Sequence, residues 1–307
     1  MTPRVSVVMG VYNGAESVRT SVESVLAQAA DVEVIVVDDG SRDATGEVLA
    51  GLAAADPRVR ALRQENAGLT RALIRGCAEA RGEYIARIDC GDRYLPGKIE
   101  KQLRLAAGHP QASIISCATR FVGPGEETLY ESVAPAEGAT ERLRTLDPDQ
   151  VRGPSSHGSA LFPRALYEKV GGYRPQFYFA QDLDLWTRLI EIGTHVPTEE
   201  VLYEVAFGPG SISGLHRERQ LECARAILDA ARLRRAGQNE APALAVASTI
   251  RPGAKSAPPN PAGAYYFIGS CLRQRGDPRA QQYFFKALRA KPLHLMAALR
   301  VLQGVAG

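Results

Sequence analysis

Between residues 5 and 89, short, mostly apolar runs alternate with stretches whose apolar positions recur every three or four residues. Val5–Met9, Val32–Val37, Val59–Leu62 and Tyr84–Ile88 are the runs. They are rich in β-branched residues and have little polar alternation, as strands buried on both faces require. Between them lie Val18, Val22, Val25 and Leu26, then Val48, Leu49 and Leu52, then Leu69, Leu73 and Cys77, each set at helical spacing. A strand–helix unit repeating about every 25 residues predicts a mostly parallel sheet with helices on both faces. Such sheets bind ligands beyond the carboxyl ends of their strands. Tyr12-Asn13, Asp38-Asp39 and Asp89 to Asp92 all follow strands, so the pattern predicts polar clusters converging on one crevice.

Beyond Pro96 a helix carries Ile99, Leu103 and Ala106, and Ser113–Val122 reads as a strand. Gly123–Gln150, rich in Gly, Pro and Glu, reads as loop with one short helix. Gly158–Phe162 reads as a strand and Arg164–Val170 as a helix, with a break at Gly171-Gly172. Asp182–Ile192 reads as a helix with Leu185, Trp186 and Leu189 on one face. A helical stretch starts at about Leu215, after a join near Gly208-Pro209-Gly210, and Ala241–Pro261 reads as a loose Ala/Pro linker. Ala264–Arg275 and Pro278–Lys291 form two helices joined by Gly276-Asp277, a single tetratricopeptide-like hairpin. Stacked repeats need about three copies for stability, so this hairpin is expected to pack on the main domain or on a partner.

The 307 residues are 45% hydrophobic and 23% charged, which excludes wholesale disorder. No apolar run approaches the roughly 18 residues of a membrane span, and the first residues lack a signal-peptide layout. Five widely spaced cysteines without a CxxC pair argue against a zinc site or disulfide framework and for reduced thiols in a cytoplasmic protein. The net charge of +3 gives no reason to expect nucleic acid, but its distribution is uneven. Residues 215–307 hold 15 Lys and Arg against 5 Asp and Glu, a net +10; residues 1–214 hold 22 against 29, a net −7. The expected division is therefore residues 1–214 and a basic helical extension, 215–307. Its cluster of Arg232, Arg234 and Arg235 predicts either peripheral attraction to an anionic membrane face, at about 1 kcal/mol per charge, or a plain solvated helix surface.

No GxGxxG, GxxxxGK[ST] or GxSxG is present, so the usual dinucleotide, P-loop and nucleophile-elbow signatures are absent. The strand ends carry carboxylates instead. The stretches Val5-Ser-Val-Val-Met-Gly-Val-Tyr-Asn-Gly14, Val36-Val-Asp-Asp-Gly-Ser41, Asn66-Ala-Gly-Leu69, Ala80-Arg-Gly-Glu-Tyr-Ile-Ala-Arg-Ile-Asp89, Val170-Gly-Gly-Tyr173 and Gln181-Asp-Leu-Asp-Leu-Trp-Thr-Arg188 occur in that order. Together they resemble the family 2 glycosyltransferases of GT-A fold over about residues 4–210. Each stretch alone is weak; the ordered set is specific.

The resemblance implies an inverting enzyme of bacterial polysaccharide or glycoconjugate assembly. It would move a sugar from a nucleotide-diphosphate donor to a glycan or lipid-linked acceptor hydroxyl. It implies that Asp39 contacts the nucleotide base, Tyr12 flanks it, and Arg63, Asn66 and Gly68 close around the nucleotide. On the residues alone, Asp38 to Ser41 also reads as a turn with a helix cap, and Arg63 as a solvated strand-end charge. Asp89-Cys90-Gly91-Asp92 matches the DxD region, but glycine stands where the second carboxylate usually binds metal. Asp89 would then hold ribose or sugar and Asp92 the Mg²⁺ or Mn²⁺, unless basic side chains offset the diphosphate or Asp92 is a loop carboxylate. Gln181-Asp182 matches the Glu-Asp motif with Gln in place of Glu, which implies that Asp182 is the general base; it also reads as a helix cap. His157 and Trp186 are expected on the acceptor side, with structural roles as the alternative. Gly91 and Gln181 keep a second function open, a nucleotide-sugar-binding protein impaired in catalysis.

Overall fold

The computed structural model describes residues 2–208, 217–252 and 261–305, and these form two compact units. The first unit comprises residues up to Thr119, Ser132–Glu204 and Arg219–Arg251; the second comprises Arg120–Glu131, Val205–Glu218 and the chain from Pro252 onward. A single cut after residue 214 does not reproduce this division. The join near Pro209 and the helix start at Leu215 fall outside the described residues.

Four strands of the first unit follow the apolar runs: β1 (Val5–Val11), β2 (Val32–Asp38), β3 (Val59–Arg63) and β4 (Tyr84–Arg87). They pair in parallel, with Val8 of β1 opposite both Ile35 of β2 and Arg87 of β4. Helices α1 (Val18–Leu26), α2 (Thr45–Ala55) and α3 (Leu69–Ala78) make the crossovers. Every residue of β2 is buried, which explains its lack of polar alternation. The fit is tight: a Cβ added at Gly76 of α3 would lie 2.5 Å from Val8 Cγ1, so no larger residue fits between helix and sheet.

The rest of the sheet is mixed. It comprises β5 (Arg93–Tyr94), β6 (Ala112–Val122), β8 (Leu161–Pro163) and β9 (Thr194–Ala206), while β7 (Thr128–Ser132) pairs with β6. The order is β3-β2-β1-β4-β8-β6-β9-β5, with β8 antiparallel to β4 and to β6, and β5 antiparallel to β9. The sheet is thus mixed: β8 runs against both of its neighbours, while β6 and β9 advance together, the Thr194 N–H bonding the Gln111 carbonyl and the Phe207 N–H the Val122 carbonyl. Helices α4 (Lys98–Gly108), α5 (Ala139–Arg144), α6 (Arg164–Lys169) and α7 (Gln181–Leu189) complete this part of the chain.

Two further helices, α8 (Arg217–Arg235) and α9 (Ala241–Thr249), supply most of the remaining first-unit residues. The Ala/Pro stretch expected as linker is therefore helical over 241–249. Pro242 sits in the first turn, where its missing N–H costs nothing, and alanine is the strongest helix former. Cys223, Ala226 and Ile227 of α8 and Ala247 of α9 form a core with Phe177 and Phe179. The expected membrane-facing arginines are engaged within this unit. Arg234 pairs with Glu191 (2.8 Å) and Glu240 (2.7 Å), Arg235 with Glu191 (3.1 Å), and Arg232 with Asp229 (2.6 Å).

In the second unit β7 falls within the stretch expected as loop, and α10 (Pro261–Gln274) and α11 (Ala280–Ala290) form the expected hairpin. A third helix, α12 (Leu295–Val305), follows. Leu129, Ile268, Leu272, Tyr283 and Phe284 are its core. The buried Glu127 carboxylate accepts from Tyr283 Oη (2.6 Å) and the Gly125 N–H (2.9 Å). No helix among the described residues is long and apolar enough to cross a membrane.

Candidate active site

The carboxyl ends of β1, β2 and β3 meet through backbone-directed hydrogen bonds. Asn13, at φ 53°, donates its N–H to Ser41 Oγ (2.9 Å) and accepts the Arg42 N–H on its side chain (2.8 Å). Tyr12 beside it is 47% exposed, free to lie against a planar ring. Asp38 is buried, accepts the Ser41 N–H (2.8 Å) and faces Arg63 Nη1 at 3.3 Å. Asp39 is also buried. It accepts Gln64 Nε2 (2.7 Å) and the N–H groups of Ala67 (2.9 Å) and Gly68 (2.8 Å), while Asn66 Nδ2 donates to its carbonyl (2.9 Å). Asp39 thus ties the 64–68 loop to the end of β2, whatever else it binds. Gly68 holds φ 90° with Tyr178 packed against it, and any side chain there would meet that ring. Tyr12, Asp39, Arg63, Asn66 and Gly68 therefore belong to one neighbourhood.

At the end of β4 the organising residue is one the motifs did not single out. Arg87 is 2% exposed and grips the Asp89 carboxylate with both terminal nitrogens, Nη1 at 2.7 Å. Burial disfavours its charge, but Asp89 outweighs that and raises the Arg87 pKa above the ordinary value, so it stays cationic. The Asp89 side chain remains 43% exposed. The Asp89 N–H donates to Tyr203 Oη (3.2 Å), and Tyr203 Oη donates to Asp92 Oδ2 (2.6 Å). Tyr203 lies on β9, fully buried, and a Cβ on Gly158 would overlap its hydroxyl at 2.0 Å. Burial, then the charges of Asp92 and Asp89, hold the Tyr203 phenol well above its ordinary pKa, fixing it as a donor. Gly91 has φ 102°, a conformation that L side chains rarely adopt, so glycine here is a backbone requirement. Its N–H is held by Ser21 Oγ (2.9 Å).

Arg87 also reaches the third motif. Its charge acts on Asp182, His157 and Tyr173 as well as on Asp89. Asp182 is the second residue of α7, half-buried, and accepts the Leu183 N–H (2.9 Å). Burial raises its pKa, while the Leu183 N–H and Arg87 restrain the rise and Asp89 adds to it. Ala180 immediately before α7 is forced to φ 52°. The segment leading to it is clamped: Thr70 Oγ1 donates to the Phe177 carbonyl (2.7 Å), which joins the start of α3 to the approach to Asp182. Phe177 and Phe179 are seated on α8 and α9, so these helices form the floor beneath the Asp182 segment.

His157 is buried and shares a hydrogen bond with Tyr173 Oη (2.7 Å). Burial, then Arg87, holds it well below the histidine range, so it is neutral. Trp186 is 4% exposed and edge-on to His157; it is a core residue, and a Cβ on Gly153 would meet its ring at 2.7 Å. Its expected place facing an acceptor is corrected to this packing role, because α7 turns Trp186 inward with Leu185 and Leu189. A cleft of 680 Å³ lies on the α2 side of Arg63 and is lined by Asp38, Ser41, Arg42 and Asp43; it does not include Asp89, Asp92 or Asp182.

No set of three or more His, Cys, Asp or Glu among the described residues makes a ready metal cage. Mg²⁺ does not need one, since one or two carboxylates suffice when substrate phosphates fill the other positions. Asp89, a hard oxygen donor with its side chain partly exposed, fits that requirement, and Asp92 is held near it through Tyr203.

Residues 6–171 match the family described as Glycosyl transferase family 2. The chain belongs to that family. It is similar to an uncharacterized glycosyltransferase of Rickettsia typhi, 30% identical over 204 residues, which are 66% of this chain and 63% of that protein. It is also similar to the uncharacterized glycosyltransferase EpsJ of Bacillus subtilis, 36% identical over 118 residues, 38% of this chain and 34% of EpsJ. The chain thus spans less than two-thirds of the length of these relatives. Among solved structures, Staphylococcus aureus TarS in complex with UDP-GlcNAc aligns at TM-score 0.58 and 14% identity, covering 98% of this chain and 89% of that one. The mannosyltransferase PcManGT of Pyrobaculum calidifontis, in complex with GDP-Man and Mn²⁺, aligns at TM-score 0.55 and 18% identity, covering 99% and 85%. The GT-A fold of this family 2 glycosyltransferase thus accounts for the parallel half-sheet and for the carboxylates at its strand ends.

Proposed function

We propose that this family 2 glycosyltransferase moves a sugar from a nucleotide-diphosphate donor to an acceptor hydroxyl, with inversion at the anomeric carbon. The observation that carries this reading is Arg87, a buried guanidinium whose charge acts on both Asp89, at the donor end, and Asp182, at the base position. Asp182 takes the acceptor's hydroxyl proton as that oxygen bonds to the anomeric carbon. The bond from that carbon to the diphosphate oxygen breaks in the same displacement, and the nucleoside diphosphate leaves. A raised but restrained carboxylate pKa suits a base that must be ionised near neutrality and still accept a proton. Tyr12 flanks the base, Asp39 with Asn66 and Gly68 shapes the nucleotide loop, and Arg63 lies at its rim. Asp89 and Asp92 would hold Mg²⁺ or Mn²⁺, and the ion would supply charge to offset the leaving diphosphate. A glycan or lipid-linked acceptor in polysaccharide or glycoconjugate assembly fits the relatives' family.

Gly91 and Gln181 favour a second reading, a nucleotide-sugar-binding protein without turnover. A panel of UDP-, GDP- and dTDP-sugars separates the two readings, assayed for hydrolysis and transfer with Mg²⁺, Mn²⁺ or EDTA. The expected result is metal-dependent turnover that falls roughly 10²–10⁴-fold in Asp182→Asn. Turnover unchanged in that variant overturns the role of Asp182; donor binding without turnover, across a panel of acceptors, overturns the transferase.

A further inference from the structure

The last helix of the chain is amphipathic in an unusual sense, because its most apolar face is the one left outside. Ala297 is fully buried and Val301 packs against the core of the second unit. On the opposite side, Leu295 (81% exposed), Leu299 (46%) and Leu302 (69%) form a single stripe at helical spacing, with Met296 beside it. Leu293, just before α12, is 83% exposed. Scattered exposed leucines need no explanation, but five large apolar side chains within ten residues form a patch. The helix start is built: the Ala297 N–H donates to His294 Nδ1 (3.2 Å), and His294 packs on the Tyr266 ring.

The charge around the patch is of one sign. From Pro278 onward the chain carries Arg279, Lys286, Arg289, Lys291 and Arg300 and not one Asp or Glu. Arg279 is engaged by Asp277, whereas Lys286, Arg289 and Lys291 are exposed. Leucines flanked by lysine and arginine, without acids, are the composition of a helix that lies in a membrane interface. A second copy of this chain suits the patch less well, since apposing two such faces across a two-fold axis would bring like charges together.

We infer that α12 and the turn before it form a peripheral docking surface for an anionic phospholipid bilayer. The leucines enter the headgroup–acyl boundary and the cations meet lipid phosphates. This places membrane contact on the second unit and not on Arg232, Arg234 and Arg235, which are engaged by their own protein. It does not depend on which sugar is transferred, or on turnover at all.

The test is co-sedimentation of the full chain with phosphatidylcholine vesicles, with and without phosphatidylglycerol. The wild type is expected to bind only the anionic vesicles, and less at high salt. The triple variant Leu295→Ser, Leu299→Ser, Leu302→Ser should weaken binding on the order of a hundredfold, given the leucine area withdrawn from lipid. Arg289→Gln with Lys291→Gln should weaken it roughly thirtyfold. All five positions lie outside the candidate active site, so donor turnover and the melting curve should be unchanged. Absence of anionic-lipid binding by the wild type overturns the inference, as does binding that the leucine variant leaves intact. Sedimentation velocity without vesicles provides the other arm. A concentration-dependent oligomer abolished by the leucine variant would make the face a self-interface and overturn the lipid assignment.

Discussion

Replacing Arg87 by methionine removes one charge from a position that acts on both ends of the proposed reaction. The side chain is 2% exposed and holds Asp89 through two nitrogens, so the substitution deletes a bidentate, charge-assisted pair. Breaking a buried pair typically costs about 3–5 kcal/mol because the remaining charge is stranded. Here Asp89 is 43% exposed and can be rehydrated, and methionine fills much of the vacated volume, so the loss should be nearer 1–2 kcal/mol. The catalytic consequence follows from the sign of the charge. Arg87 lowers the Asp182 pKa against the rise that burial imposes. Without it the carboxylate needs a higher pH to ionise, and the acid limb of kcat/KM moves upward. The assay is the pH profile of transfer with the donor that the panel identifies, for wild type, Arg87→Lys and Arg87→Met. Lysine should retain most of the limb's position. A uniform fall in rate with an unmoved acid limb would refute the electrostatic link to Asp182 and leave Arg87 as a positioning residue for Asp89 alone.

Tyr203→Phe deletes the hydroxyl that joins the Asp89 N–H to Asp92. Urea unfolding should show a loss of about 1–3 kcal/mol, and donor KM should rise; equal stability would mean the hydroxyl is not needed. Gly91→Asp, which restores the usual DxD carboxylate, puts an L side chain at φ 102°. It should cost about 1–3 kcal/mol without tightening Mn²⁺ binding in calorimetry, and tighter binding at unchanged stability would refute this. Lys98 is fully buried, 2.9 Å from Gln102 Oε1 and 4.0 Å from the centre of the Tyr94 ring, and burial lowers its pKa to about 8. The unfolded chain therefore binds more protons than the folded one between about pH 8 and 10.5, and this group's contribution to stability grows with pH there. The stability gap between wild type and Lys98→Met should shift towards the wild type over that window; a flat difference would show that folding leaves Lys98 as a hydrated ammonium with an unshifted pKa.

The first four strands were legible because each is a short, mostly apolar run of its own. The mixed half was not. β9 runs through Thr198, Glu199 and Glu200, and β5 is two residues long, so neither gives a period to read. The helix at 241–249 hid behind Pro242, whose place in the first turn is invisible in composition. In the site, Asp39, Asp89 and Asp182 could be found because they sit in ordered motifs. Trp186 was misassigned because α7 could be read without knowing which face the neighbouring 3₁₀ turn at His157 would cover. Arg87 and Tyr203 escaped notice for a topological reason. Their roles exist only once β4 and β9, more than a hundred residues apart in the chain, are folded into one sheet. The one local hint was a charge at the end of an otherwise apolar strand, Ile85-Ala86-Arg87-Ile88.

The seating of Phe177 and Phe179 on α8 and α9 bears on how this chain can be cut and recombined. A truncation at the composition break near residue 214 would keep every motif of the family and remove the support under Asp182, the proposed base. Such a fragment should still recognise nucleotide through the β1–β3 ends while its turnover collapses. A chimera that takes its acceptor loops from another enzyme has to bring that enzyme's equivalents of α8 and α9 along with the 173–182 segment. For this chain the transferable cassette is therefore discontinuous, and its last indispensable stretch ends near Arg251.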